Sequence, residues 1–291
     1  MKNVYKSKQS EAIMMDLYDK HMESLDFAYE DVYVETRHGN AHIIKFGKPH
    51  GKPLLVFHGG NSTTPSSLER FSPLLAKLND YCVFAVDTVG HPGKSAQTVL
   101  SHMSLEYGWW ASDVISGLGF EKMHCMGSSF GAGILVKLMC VAPEKIEKSI
   151  LVVPSGIANM STFSIMISMG VPMVFYILTK KDYWLTKALL PMALEEKNID
   201  EATYMMTKFI FEHVSVKAGM PSNVDAKELR NYIAPTFVIP AERDKLFPAR
   251  KIIEKVKKMI PNLRIHLLEN QGHMCTLPDN VVEMIVEFLR E

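Results

Sequence analysis

The chain has 291 residues, of which 47% are hydrophobic and 22% charged, and this length and composition predict a single domain over residues 1–291 with one large hydrophobic core. Its 32 acidic and 32 basic residues give a formal net charge of zero, without a basic stripe or a charge block, which argues against nucleic acid as a partner. The N-terminus lacks the apolar stretch of a secretory signal and the four cysteines are scattered without a C-x-x-C pair, so we expect a cytoplasmic protein with reduced thiols.

The predicted elements begin with a helix over residues 10–25, whose apolar residues recur on one face. Residues 31–36 alternate as a strand does, and after a turn residues 41–46 form its hairpin partner. Six further strands alternate with helical stretches, over 54–57, 82–86, 123–126, 149–153, 236–240 and 263–268. This alternation predicts an α/β protein whose mostly parallel eight-stranded sheet has helices on both faces. We expect Trp109 and Trp110, on the helix before the strand at 123–126, to lie in the core.

Residues 155–225 separate two predicted strands by an interval that is too long for a loop and that looks helical and apolar. Residues 157–179 carry no charge, and their length would permit a membrane span. Asn159, Gly170 and Pro172 interrupt them, and they lie between two strands of one fold, so we expect no stable membrane insertion. The interval is also rich in methionine, which suits an adaptable apolar surface: Met160, Met166, Met169, Met173, Met192, Met205, Met206 and Met220. We predict a helical cap, partly buried, that shapes an apolar substrate pocket.

A G-x-S-x-G motif ends the predicted strand at 123–126 and precedes a helix-like run. Strand, tight turn and helix form the context in which this motif presents a nucleophilic serine. Ser129 has glycine at positions −2 and +2, Gly127 and Gly131, whereas Ser128 has larger residues there. Since glycine lets the strand and the helix approach closely, we predict Ser129 as the nucleophile.

A serine hydroxyl is a weak nucleophile that needs a base, and the base needs an acid to orient it. His273 follows Gly272 just past the last predicted strand, ahead of a C-terminal helix, and is the predicted base. Two carboxylates, Glu242 and Asp244, follow the strand at 236–240, and either could be the acid.

A glycine-rich turn follows the strand at 54–57 and can direct a backbone N–H at a developing oxyanion. The predicted donors are Gly60 and the residue after the nucleophile, Phe130, with Asn61 as a substitute for Gly60. His58 and His91 are alternative bases, although a loop-stabilising role fits each better.

These motifs, together with residues 87–95 (DTVGHPGKS), resemble those of the α/β-hydrolase superfamily, from about Tyr29 to the C-terminus. Within it the chain resembles single-domain bacterial carboxylesterases, although His91-Pro92-Gly93 alters a glycine spacing that is usual in that loop. The resemblance implies the α/β-hydrolase fold. It also favours Asp244 over Glu242 as the acid, because the family's acid lies a few residues past this strand. It implies no cofactor, and no H-E-x-x-H or Cys/His cluster indicates a metal site.

We therefore expect a serine hydrolase that cleaves carboxylic esters of small to medium apolar substrates through an acyl-enzyme, with a small-molecule ester as its partner. A serine in this position argues against the epoxide hydrolases and haloalkane dehalogenases of the superfamily, which use a carboxylate there. Amide or C–C bond hydrolysis, acyl transfer and perhydrolysis use the same machinery and stay open. A non-catalytic ligand-binding member is a further alternative, which the intact set of serine, histidine and aspartate disfavours.

Overall fold

The computed structural model describes residues 4–215 and 219–291. The predicted domain over 1–291 and the predicted cap over 155–225 therefore include residues, 1–3 and 216–218, that lie outside the described part of the chain. The described strands are β1 (Tyr29–Thr36), β2 (Gly39–Gly47), β3 (Lys52–Phe57), β4 (Tyr81–Val86), β5 (Met123–Ser128), β6 (Ile146–Val152), β7 (Thr236–Ile239) and β8 (Leu263–Ile265). The described helices are α1 (Lys8–Ser24), α2 (Thr64–Arg70), α3 (Ser72–Leu75), α4 (Glu106–Gly117), α5 (Phe130–Val141), α6 (Thr162–Ile165), α7 (Val171–Thr179), α8 (Asp182–Ala193), α9 (Glu201–His213), α10 (Ala249–Met259) and α11 (Asp279–Arg290).

The eight strands form one sheet in the order β1-β2-β4-β3-β5-β6-β7-β8. The pairs β1–β2 and β2–β4 are antiparallel, and the remaining pairs are parallel. The prediction of a mostly parallel eight-stranded sheet is thus confirmed. The last strand is shorter than predicted, ending at Ile265, and the sheet continues past it through a single parallel bridge between Ala241 and Leu268.

Two hydrophobic layers cover the sheet, because successive side chains of a strand point to opposite faces. In β4, Phe84 and Val86 join a layer that also contains buried residues of α4, α5 and α10. The intervening Val83 and Ala85 join a second layer, which contains residues of α1, α2, α3 and α11. Both faces of the sheet are therefore helix-covered, as predicted.

The pair of tryptophans on α4 divides between core and surface. Trp110 is fully buried, whereas Trp109 is 41% exposed with the Arg37 guanidinium 5.2 Å from the centre of its ring. The expectation that both lie in the core is wrong for Trp109, since adjacent residues of a helix point about 100° apart and only one can face the sheet.

A buried carboxylate joins the N-terminal helix to the sheet. Asp87, just after β4, accepts hydrogen bonds from the Tyr18 hydroxyl at 3.1 Å and from the backbone N–H of Lys94 at 2.7 Å. Its Oδ2 also lies 2.8 Å from Nδ1 of His42. Gly93 closes this loop with φ 152°, and a Cβ there would lie 2.6 Å from the Asp87 carboxyl carbon. The loop thus depends on a glycine packed against Asp87.

Between β6 and β7, the described residues form four α-helices, α6 to α9, with a π-helical turn over Met166–Gly170 between α6 and α7. Helix ends at His213, and residues 219–225 have no regular structure, so the prediction of a helical interval is wrong for its last part. Within the described ranges, one continuous helical run, Thr162–Thr179, is long and apolar enough to cross a membrane. Of its residues only Tyr176 is buried, so the run is more exposed than the expected cap helix.

Candidate active site

Ser129 occupies the turn between the central strand β5 and helix α5, and its backbone has φ 52° and ψ −114°. Positive φ is rare for a residue with a side chain and marks a conformation that the surroundings enforce. The enforcing contact is with the neighbouring strand, because the Ser129 N–H donates to the Val152 carbonyl at 2.9 Å. The turn therefore holds the serine at the carboxyl ends of the parallel strands.

The two flanking glycines permit this turn. A Cβ on Gly127 would lie 2.5 Å from the carbonyl carbon of Gly131, and a Cβ on Gly131 would lie 2.3 Å from the Phe57 carbonyl oxygen. No side chain tolerates contacts this short. Strands β5 and β3 and helix α5 therefore meet here only because both residues are glycine. The glycine register that distinguished Ser129 from Ser128 thus has a direct steric cause.

His273 lies with its Nε2 2.9 Å from the Ser129 hydroxyl oxygen, and its Nδ1 lies 2.8 Å from Oδ2 of Asp244. The other carboxylate oxygen of Asp244 accepts backbone hydrogen bonds from Leu246 at 2.8 Å and Phe247 at 3.1 Å. The carboxylate is therefore fixed on one side by the backbone and directed at the imidazole on the other. Because a carboxylate can only accept, Nδ1 carries the proton and Nε2 is free to accept one from Ser129.

Glu242 does not take part in this arrangement. Its Oε2 accepts the backbone N–H of Asn270 at 2.7 Å, an exposed contact that stabilises the turn before His273. The structure thus brings Asp244, and not Glu242, to the histidine.

The end of α8 contacts the loop that carries His273. The backbone N–H of Met274 donates to the Met192 carbonyl at 3.1 Å. Leu194, with φ 70°, lies against Gly272, where a Cβ would be 2.7 Å from the Leu194 Cγ. Residues of the predicted cap therefore pack on both neighbours of His273.

Gly60 lies beside Phe130, the residue that follows Ser129. A Cβ on Gly60 would be 3.1 Å from the Phe130 Cβ. Phe130 is the first residue of α5, where a backbone N–H has no partner within the helix. Across residues 4–215 and 219–291, neither of these N–H groups has a backbone acceptor. Asn61 follows with φ 50°.

His58 and His91 are buried and lie next to this turn, with ring centres 5.9 Å apart. His58 accepts the Thr88 N–H on Nε2 at 3.1 Å, so its Nδ1 carries the proton that it donates to the Gly59 carbonyl at 2.7 Å. The His91 ring meets the Phe130 ring edge-on at 4.5 Å. Burial lowers the pKa of both, that of His91 to about 3. Both histidines are therefore neutral, and their contacts are those of loop-stabilising residues.

Ser155 belongs to the site but was not singled out from the sequence. Its hydroxyl and its N–H both reach the Ser129 carbonyl, at 3.0 and 3.2 Å. The local sequence around Ser155 carries no signal of this contact, because the contact depends on the pairing of β6 with β5.

Cys275, two residues after His273, is buried, and burial raises the pKa of its thiol to about 12. It therefore stays a neutral thiol. Among the described side chains, no group of three or more His, Cys, Asp or Glu is placed to hold a metal ion.

The sheet order and the strand–turn–helix site are those of the α/β-hydrolase fold. A family model described as the alpha/beta hydrolase fold matches residues 52–178. Carboxylesterase YbfK of Bacillus subtilis (strain 168) is 23% identical over 283 residues, covering 94% of this chain and 92% of that protein. The chain therefore has the α/β-hydrolase fold and is similar in sequence to bacterial carboxylesterases.

Solved structures agree with that assignment of the fold. The crystal structure of naproxen esterase (carboxylesterase NP) from Bacillus subtilis has a TM-score of 0.82 at 19% identity, covering 98% of this chain and 99% of that one. A meta-cleavage product hydrolase from Pseudomonas fluorescens IP01 has a TM-score of 0.70 at 16% identity, covering 92% of this chain and 99% of that one. The predicted fold is thus confirmed.

Proposed function

We propose that this enzyme hydrolyses carboxylic esters of small to medium apolar substrates, with Ser129, His273 and Asp244 as its catalytic residues. One observation carries the proposal: Nε2 of His273 lies 2.9 Å from the Ser129 hydroxyl while its Nδ1 lies 2.8 Å from Asp244. A serine is activated when its hydroxyl is hydrogen-bonded to a base that is itself hydrogen-bonded to an orienting acid.

In the first half of the reaction, the Ser129 oxygen attacks the ester carbonyl carbon while its proton passes to His273 Nε2. Asp244 stabilises the resulting imidazolium through Nδ1–H. The carbonyl oxygen takes up the negative charge, and the N–H groups of Gly60 and Phe130 donate to it. Collapse of this intermediate breaks the ester C–O bond, and His273 returns the proton to the leaving alcohol.

In the second half, water attacks the acyl carbon of the ester that Ser129 now carries, and His273 takes the proton of the water. The same two N–H groups receive the oxyanion. Breaking of the bond to the Ser129 oxygen releases the carboxylic acid, and His273 returns the proton to that oxygen. The cycle needs only water and the ester, so no cofactor takes part.

The substrate preference follows from the residues of the predicted cap, over 155–225. Within it, Met192 and Leu194 at the end of α8 pack on the loop of His273, and the earlier residues 157–179 are uncharged. We propose that this segment covers the site and lines its pocket. An apolar wall favours each methylene that it buries by about 0.8 kcal/mol, which corresponds to a few-fold in kcat/KM per carbon.

A panel of p-nitrophenyl esters of increasing acyl length, beside matched anilides, tests the proposed reaction. We expect kcat/KM for the esters to rise with acyl length until the pocket is full and then to fall. Activity on the anilides but not on the esters would replace the proposal with amide hydrolysis. Absence of activity on both would make a C–C bond substrate, or a non-catalytic role, the better conclusion.

The assignment of the nucleophile is tested separately. Ser129→Ala should lower ester turnover by at least about a thousandfold, whereas the adjacent Ser128→Ala should retain most of it. A fluorophosphonate probe should label Ser129, as located by peptide mapping. An adduct on Ser128 would contradict the assignment.

A further inference from the structure

The helical run over residues 162–179, called here the 162–179 face, concentrates exposed apolar side chains on one part of the surface. Eight of the fifteen exposed large hydrophobic residues in the described chain lie within it: Phe163, Met166, Ile167, Val171, Val174, Phe175, Ile177 and Leu178. The most exposed of them is Leu178, at 73%. Apolar patches of this kind on a soluble domain mark a surface that is covered by something else.

Two hydroxyl groups of the face form hydrogen bonds within the helix itself. The Ser168 hydroxyl donates to the Ser164 carbonyl at 2.8 Å, and the Thr179 hydroxyl donates to the Phe175 carbonyl at 2.7 Å. The face therefore offers few groups for the hydrogen bonds that a protein–protein interface uses. It can enter a hydrocarbon environment without leaving these hydroxyls unpaired.

Cationic and aromatic residues follow the apolar run directly. Lys180 and Lys181 are exposed, and neither forms a salt bridge within residues 4–215 and 219–291. Trp184 stacks on Phe175 with ring centres 4.6 Å apart, and Tyr183 beside it is exposed. Lysines that attract lipid phosphates, with aromatic rings at headgroup depth, characterise the edge of a membrane-bound surface.

The opposite side of the run is fixed to the protein. Ile165 and Met169 pack against the hydrophobic layer of α4 and α5. The Tyr176 hydroxyl donates to Glu212 of α9 at 2.9 Å. Crossing a bilayer would break these contacts, whereas lying along its surface keeps them.

We propose that the 162–179 face docks reversibly on the surface of an anionic phospholipid bilayer. The helical run lies in the plane of the interface, with Phe163 and Leu178 in the acyl region and with Lys180 and Lys181 at the phosphates. Apolar burial supplies the attachment, and the lysines supply the preference for anionic lipid. The face belongs to the predicted cap, but none of its exposed side chains is among the proposed catalytic residues Ser129, His273 and Asp244.

Vesicle flotation of the full chain tests the proposal, with vesicles of phosphatidylcholine alone and of phosphatidylcholine mixed with phosphatidylglycerol. We expect the wild type to float preferentially with the anionic vesicles. Leu178→Asp and Phe163→Asp should each weaken this binding at least about tenfold. The double change Lys180→Gln and Lys181→Gln should abolish most of the difference between the two vesicle types.

Ile233→Asp is the matched control, because Ile233 is 70% exposed but lies outside the face. It should bind vesicles as the wild type does. Ser129→Ala should also bind normally, which separates docking from the proposed esterase activity. Circular dichroism and the urea-unfolding midpoint verify that Leu178→Asp is folded.

Two outcomes would overturn the proposal. One is a wild type that floats with neither vesicle type, or that binds no better than Leu178→Asp. The other is a dimer in light scattering that Leu178→Asp dissociates and that does not bind vesicles, which would assign the face to a second copy of the chain.

Discussion

Ser155 donates its buried hydroxyl to the carbonyl oxygen of Ser129 at 3.0 Å, and its N–H reaches the same oxygen at 3.2 Å. The Gly133 N–H is a third donor to that carbonyl, at 3.1 Å. The backbone of the proposed nucleophile is thus held from the segment that follows the neighbouring strand β6 as well as from its own helix α5.

Ser155→Ala should therefore affect both stability and catalysis. Loss of one buried hydrogen bond lowers the free energy of unfolding by about 1 kcal/mol. With one of its three donors gone, the Ser129 carbonyl is less firmly held, and kcat/KM should fall several-fold. Urea unfolding and ester kinetics measure the two effects.

Ser149→Ala is the matched control, since Ser149 is also buried but lies on β6 and bonds Tyr232 and Thr236 instead of Ser129. It should lose similar stability with unchanged kcat/KM. Equal kinetic effects of the two changes would show that Ser155 is merely structural.

Asp244→Asn should lower kcat by about three to four orders of magnitude, because an amide can no longer hold the imidazole in the tautomer that accepts the serine proton. Glu242→Gln, two residues away, should stay within a few-fold of the wild type, since Glu242 contacts the backbone of Asn270 and not His273. Steady-state kinetics on one apolar ester compare the pair. The opposite ranking would transfer the orienting role to Glu242.

The buried pair of His42 and Asp87 should give the stability a dependence on pH at both ends of the range. Burial by itself lowers the pKa of His42, but hydrogen bonds and charges of Asp87 and Asp31 outweigh it, so the pKa is raised. Burial by itself raises the pKa of Asp87, but His42, Thr64 and the Lys94 N–H outweigh it, so the pKa is lowered.

The contribution of this pair is complete between the unfolded pKa values of aspartate and histidine, about 4 and about 6.5. It decreases as the pH falls below about 4 towards the lowered pKa of Asp87. It also decreases as the pH rises above about 6.5 through the raised pKa of His42. The stability difference between the wild type and His42→Gln should therefore shrink at alkaline pH in urea unfolding. His50→Gln, which changes an exposed histidine, is the control, and a constant difference for His42→Gln would contradict the expectation.

His91 should make the fold sensitive to mild acid. Burial, followed by the nearby His58, lowers the pKa of His91 to about 3, whereas an unfolded histidine takes up a proton below about pH 6.5. The free energy of unfolding should therefore fall as the pH decreases from about 6.5 towards 3, by up to about 1.4 kcal/mol for each pH unit. His91→Leu should flatten this slope in urea unfolding between pH 4 and 7. An unchanged slope would mean that His91 titrates normally in the folded protein.

The local elements were largely predictable from the sequence. Every predicted strand is present, with ends within a few residues of the predicted ones. The reason is that a strand buried on both faces has a short apolar sequence, such as residues 54–57. The position of Ser129 was predictable as well, since the steric demand for Gly127 and Gly131 acts over four residues of chain.

Contacts between distant parts of the chain were not predictable in this way. Nothing in the sequence near Ser155 indicates that it bonds a residue 26 positions earlier. Likewise, the apolar run at 162–179 reads the same whether it faces the core or solvent. The helical period of this run does not indicate which of its sides packs against the protein, because that depends on the neighbouring elements of the fold.

The positive φ of Ser129 implies that activity and stability are opposed at this residue. A side chain held at φ 52° and ψ −114° raises the energy of the folded state by about 1–3 kcal/mol, which a glycine would not do. Glycine loses about 0.5–1 kcal/mol more than alanine in chain entropy on folding, which offsets only part of this difference. Ser129→Gly should consequently unfold at a higher temperature than Ser129→Ala, with both inactive, as differential scanning calorimetry can measure. An enzyme that keeps serine here is less stable than its own inactive variant.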